Sequence, residues 1–95
     1  MKKKALVIGG SGFMGSHTSD KLSEAGYQTS VFDLIESPWL RSDQKMIIGD
    51  IEDISSVSEA IKNADIVYNF AALADLSKAL DQPKKTAKIN IIGNL

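Results

Sequence analysis

The sequence predicts an α/β fold built on a parallel sheet, and two patterns carry that expectation. Four short apolar runs, Lys4 to Gly9, Tyr27 to Asp33, Lys45 to Gly49 and Asp65 to Phe70, alternate with segments of helical period or irregular composition. The first run is apolar without a break from Ala5 to Ile8, as in a strand covered on both faces. Strands separated by crossovers pair in parallel, and right-handed crossovers give the strand order 3-2-1-4.

Each element has a local cause. At Phe13 the period changes: Met14, Thr18, Leu22 and Ala25 fall on one helical stripe, and Gly26 follows as a stop. Ile35 to Gln44 contains Pro38 and no clear stripe, which predicts a short irregular connection between the second and third strands. Asp53 is a candidate N-cap for a helix whose apolar face is Ile54, Val57, Ile61 and Ala64. Ser56 with Glu59 offers an alternative capping box one turn later. Ala71 to Gln82 is expected to be mostly loop, and Pro83 suits the first position of a last helix that includes Ile89 and Ile92.

The chain has 95 residues, enough for one domain but not for two with a core each. Hydrophobic residues make up 43% and charged residues 24%, so neither a disordered nor a membrane class is indicated. A net charge of −1 gives no footprint for nucleic-acid binding, and Lys2-Lys3-Lys4 reads as a solvated end. There is no cysteine, hence no disulfide framework and no thiolate metal site. The apolar stretch after the lysines is too short for a signal peptide or a membrane span, so a cytoplasmic protein is expected.

The chemistry is concentrated in VIGGSGFMGSH, Val7 to His17. Two registers of one motif overlap there: Gly10, Gly12 and Gly15 fit GxGxxG, while Gly9, Gly12 and Gly15 fit GxxGxxG. Both put glycine where a strand turns sharply, where backbone approaches a pyrophosphate, and where a helix packs on a strand. The helix that follows aims unpaired N–H groups and the positive end of its dipole at the same place, and Ser11 can add a hydroxyl donor. Asp33 ends the next strand about 20 residues further on, the spacing of an acid that accepts hydrogen bonds from the adenosine ribose hydroxyls. Such a carboxylate repels a 2′-phosphate, and no Arg or Lys lies beside Asp33 or within Ser11 to Ser16. NAD rather than NADP is therefore the expected cofactor, on a Rossmann-type sheet.

With these residues in view, the chain resembles the extended short-chain dehydrogenase/reductases, the NAD-dependent epimerases and dehydratases of nucleotide sugars. Gly9-Gly10-Ser11-Gly12-Phe13-Met14-Gly15 is similar to that family's glycine loop, in which an aromatic and an aliphatic residue follow the second motif glycine. Asp33 matches its ribose-binding acid. The resemblance of Gly49-Asp50-Ile51 implies an adenine contact, from the Asp50 carboxylate to the amino group and from the Ile51 backbone to the ring. Asn69-Phe70-Ala71-Ala72 resembles the segment after the fourth strand, where Ala71 and Ala72 would let backbone approach the central riboses; Asn69 departs from the histidine often found there. Lys88 to Leu95 resembles a helix carrying a structural asparagine, here Asn90, followed by Gly93.

The same resemblance implies a catalytic Tyr-x-x-x-Lys pair, with tyrosinate as the base. Tyr27 is followed four residues on by Val31 and Tyr68 by Ala72, so neither qualifies, and no catalytic residue is assigned. His17 reads as a polar helical position, and Asp50, Glu52 and Asp53 as turn, cap and adenine residues rather than as a metal site. The leading expectation is the amino-terminal, NAD-binding portion of a nucleotide-sugar epimerase or dehydratase, with the catalytic and sugar-nucleotide parts beyond residue 95. On that view the sheet is incomplete at its carboxyl-terminal side and the fourth strand is an open edge. Self-association, or pairing with the remainder of the enzyme, is then expected. A non-catalytic dinucleotide-sensing regulator on the same fold is the alternative, and a flavin-binding domain is a third, disfavoured by Gly49-Asp50-Ile51.

Overall fold

A computed structural model describes residues 2–70 and 88–91. In chain order the elements are β1 (Lys4–Ile8), α1 (Phe13–Glu24), β2 (Gln28–Asp33), β3 (Gln44–Ile48), α2 (Ile54–Lys62), β4 (Ile66–Asn69) and β5 (Lys88–Ile91). They form one sheet in the order β3-β2-β1-β4-β5, with every neighbouring pair parallel. The expected 3-2-1-4 order is present, extended by one strand.

β1 sits at the centre of the sheet, buried on both faces from Ala5 to Ile8. Leu6 and Ile8 join Phe32, Val67, Val57, Ile61 and Ala64 in one cluster, on the face covered by α2. Ala5 and Val7 join Leu22 of α1 in the other. The period-2 alternation of a strand thus divides one apolar run between two helical layers. Both apolar positions expected at the heart of α2, Val57 and Ile61, are buried. Asp53 caps that helix, with Oδ1 accepting from the Ser55 and Ser56 N–H groups and Oδ2 from the Ser56 hydroxyl. The alternative start at Ser56 is not used.

The stripe on α1 differs from the one expected. Its buried residues are Gly15, Ser16, Ser19 and Leu22, whereas Met14 is exposed. Small residues carry this contact because the helix lies against bare loop backbone: a Cβ on Gly15 would stand 2.5 Å from Gly10 Cα and 2.6 Å from the Gly9 carbonyl oxygen. The hydroxyls this brings inside are satisfied within the helix, Ser19 Oγ donating to the Gly15 carbonyl and Ser16 Oγ to that of Phe13. The helix stops as expected at Gly26, whose φ of 99° is open to glycine. Tyr27 N–H bonds back to Leu22 O and Gly26 N–H to Ser23 O, which closes a Schellman motif.

The far edge also differs. Residues 88–91 are a strand, not part of a helix, and β5 pairs with β4 in the register Val67↔Ile89 and Tyr68↔Asn90. Asn90 accordingly lies on a strand. Isoleucines at 89 and 91 alternate as in a strand, and a run this short fits period 2 and period 3.6 equally well. With β5 in place, β4 is not the expected open edge. The expected helix start at Pro83 and Gly93 lie outside the described residues. No helix among the described residues is long and apolar enough to cross a membrane.

Candidate functional site

In a parallel sheet all carboxyl ends of the strands open on one side. Here the glycine loop follows β1, Asp33 ends β2, and Gly49-Asp50-Ile51 follows β3. The chain returns to the opposite side of β1 to form β4, so the sheet changes direction beside the glycine loop, which is where open α/β sheets bind ligands. Bonds continuing the ladders hold these ends together: Gly9 N–H to Phe32 O at 2.8 Å, Gly49 N–H to Asp33 O at 3.0 Å and Phe70 N–H to Ile8 O at 2.8 Å.

The four glycines of the loop divide the work between the two motif registers. Gly9 makes the sharp turn, with φ 76°. Gly15 gives the close helix contact described above. Gly10 is a packing position, where a Cβ would stand 2.7 Å from Val31 Cγ1. Gly12 is different: its Cβ would find only the Gly9 carbonyl oxygen, 4.0 Å away, and its φ of −78° and ψ of 175° are open to any residue. The fold does not require glycine there. A cradle that a side chain would fill is what a bound phosphate group needs.

The two helices contrast in the same sense. α2 is closed by the Asp53 carboxylate. α1 begins at Gly12 with no side-chain cap and no acid in its first turn. Ser16 N–H is the first to reach an intrahelical acceptor, Gly12 O at 2.9 Å. The preceding N–H groups of Phe13, Met14 and Gly15 lack that acceptor by helix geometry. Phe13 and Met14 are 65% and 63% exposed, and the Phe13 ring meets His17 edge-on at 4.5 Å. Residues and fold together fit a pyrophosphate.

Asp33 lies where the ribose acid is expected, half-buried and held from two sides: Oδ2 accepts from Ser11 N–H at 3.0 Å and Oδ1 from Leu34 N–H at 2.7 Å. Each oxygen keeps lone-pair capacity for a further donor. Ser11 departs from its expected part. Its hydroxyl donates to the Ile35 carbonyl at 2.6 Å and is buried, so its proton ties the loop to the segment after β2 and is not offered to an anion. Asp50 accepts from Glu52 N–H at 2.9 Å in a local turn and is otherwise exposed, and Ile51 packs against the α2-side core. Ala71 and Ala72 lie outside the described residues.

Two supports of the site carry no local signal in the sequence. Gly49 is required by Phe32, whose buried ring comes within 2.7 Å of where a Cβ would be. The irregular connection 34–43 is tied to α1 by Arg41, paired with Asp20 at 3.1 Å and Glu24 at 2.9 Å, and Gln44 at the start of β3 adds to this, its amide donating to Asp20 and Ser23. The Glu24 hydrogen bond, foremost, holds the Arg41 guanidinium above its ordinary pKa. Trp39 on that connection is exposed. Among the described residues no group of His, Asp and Glu is placed to hold a metal ion.

A parallel sheet whose first turn presents glycine backbone, an uncapped helix and a neighbouring strand-end acid defines a dinucleotide-binding domain of the Rossmann type. The profile of the NAD dependent epimerase/dehydratase family matches residues 5–95, and the chain belongs to that family. It is 33% identical over 99 residues to a UDP-glucose 4-epimerase of Rhizobium leguminosarum bv. trifolii, covering 95% of this chain and 29% of that protein. It is 30% identical over 105 residues to a dTDP-glucose 4,6-dehydratase of Mycobacterium tuberculosis, covering 95% and 30%. The Thermus thermophilus UDP-glucose 4-epimerase in complex with NAD superimposes with a TM-score of 0.64 at 26% identity, covering 84% of this chain and 27% of that one. The chain spans under a third of the length of these relatives. NAD(P) is the cofactor of the family and its structural neighbours, and NAD complexes are among them.

Proposed function

We propose that this chain is the NAD-binding portion of a nucleotide-sugar epimerase or dehydratase. The observation that supports it most is the pairing of an uncapped α1, opening at a Gly12 whose Cβ position is vacant, with Asp33 held at the end of β2. NAD, when bound, supplies a hydride acceptor that can later return the hydride. The chain's own residues have the tasks of binding and orienting it. The backbone of Gly9 to Gly15 receives the pyrophosphate, Asp33 accepts the ribose hydroxyls, and Asp50 with Ile51 borders the adenine. Asp33 also sets the preference for NAD, because a 2′-phosphate would meet its carboxylate with no Arg or Lys next to it in the sequence.

The names of the epimerase and dehydratase relatives support a UDP- or dTDP-linked sugar as substrate. No tyrosine here is followed by lysine four residues on, so removal of the sugar hydroxyl proton is assigned to residues outside this chain. The test is calorimetric titration of the protein with NAD and NADP, alongside a turnover assay of the 95-residue chain with UDP-glucose. NAD binding tighter than NADP binding, without turnover by the chain alone, is the expected result. Tighter NADP binding, or turnover by these residues alone, would overturn it.

A further inference from the structure

Leu34 and Ile35, which follow β2, are 60% and 68% exposed, so apolar packing does little to hold down the turn that carries them. Hydrogen bonds do. Ser11 N–H reaches Asp33 Oδ2, Leu34 N–H reaches Asp33 Oδ1, and the Ser11 hydroxyl reaches the carbonyl of Ile35. The turn in the glycine loop needs the Ser11 backbone only; an alanine would serve it. The hydroxyl is the extra group, 6% of the residue being exposed, and it spans from one binding element to the other.

We infer that Ser11 is a positioning residue for cofactor choice: its hydroxyl pins the Leu34–Ile35 turn to the glycine loop and so fixes the direction in which Asp33 presents its carboxylate. This rests on the proposed ribose role of Asp33. Without the hydroxyl, Ile35 is released and the Leu34 N–H that holds Oδ1 is free to shift. Asp33 then swings, which weakens its grip on a ribose diol and relaxes its repulsion of a 2′-phosphate. NAD and NADP should respond differently, and a purely structural role would not separate them.

The test is a double-mutant cycle read by calorimetry on the protein with NAD and with NADP, using Ser11→Ala, Asp33→Ala and both together. Loss of one hydrogen bond's net contribution predicts NAD binding weaker by about three- to tenfold in Ser11→Ala, with NADP unchanged or slightly tighter. In the Asp33→Ala background the same change should leave NAD affinity unaltered. Equal losses in both backgrounds, or parallel losses for NAD and NADP, would show that Ser11 shapes the loop without acting through Asp33, and would overturn the inference. If Asp33→Ala itself leaves NAD binding unchanged, the ribose role fails first, and the inference falls with it.

Discussion

Replacing Gly15 by alanine adds one carbon at the tightest contact around the loop. That carbon would lie 2.5 Å from Gly10 Cα, and ordinary carbon contact is about 3.5 Å, so helix and loop must separate by about 1 Å. The opposing atoms are backbone, with no rotamer to swing aside. Overpacking of this kind costs about 1–3 kcal/mol, offset in part by about 1 kcal/mol from the better helix propensity of alanine. A net loss of about 1 kcal/mol lowers the melting temperature of a domain this size by about 4–8 °C, read by circular dichroism. NAD binding should weaken as well, since α1 and its N–H groups move off the loop. Gly12→Val is the counterpart. Its Cβ meets no nearer neighbour than the Gly9 oxygen at 4.0 Å, so the secondary structure should remain while NAD binding is abolished. A Gly15→Ala variant that melts with the wild type, or a Gly12→Val variant that binds NAD normally, would refute this division of roles.

Asp33→Ala should weaken NAD binding and narrow the preference over NADP, measured by paired titrations. Gly49→Ala should lower the melting temperature, because the Phe32 ring that its Cβ would strike is buried. The Ser56 hydroxyl, with the N–H groups of Ser56 and Ser55, holds the Asp53 carboxyl below its ordinary pKa. Its stabilising effect is therefore complete above the unfolded-state value near pH 4 and is lost as pH falls through the depressed folded value. Asp53→Asn should remove that part of the acid dependence while keeping the cap, in unfolding curves between about pH 2 and 6. Arg41→Ala should destabilise only slightly, and less at high salt, since its pair with Glu24 is solvent-exposed and its pair with Asp20 partly so.

The first four strands, their order and the cofactor loop are legible in the sequence because each rests on a strong local signal. The uninterrupted Ala5 to Ile8 run has no place but the sheet centre, and Gly26 and Asp53 mark helix ends by chemistry that needs no partner. What is not legible depends on neighbours distant in sequence. The buried face of α1 departs from the apolar stripe because it is made largely of glycine and serine, which carry no hydrophobic signal. Residues 88–91 are expected in a helix from the three-apart pair Ile89 and Ile92, but the same run holds the two-apart pair Ile89 and Ile91 that suits the strand found there. The Ser11 hydroxyl reads as an anion donor because nothing local reveals that the Ile35 carbonyl lies 2.6 Å away. Gly49 reads as an ordinary turn glycine until the Phe32 ring is seen against it.

If NAD is held at the carboxyl ends of the strands, between the glycine loop and Asp33, its arrival must be felt by the amides there. Amide chemical shifts of the 15N-labelled protein, followed during titration with NAD, test this most directly. The signals of Gly9 to Gly15 and of Asp33 to Ile35 should move, with the first-turn amides of Phe13, Met14 and Gly15 shifting most as they gain an acceptor. A groove of about 460 Å³ lies near the opposite ends of the strands, lined among others by Gln28, Gln44 and Asn63, and its amides should stay still. Shifts centred on that groove, with the glycine loop silent, would contradict the binding site described above.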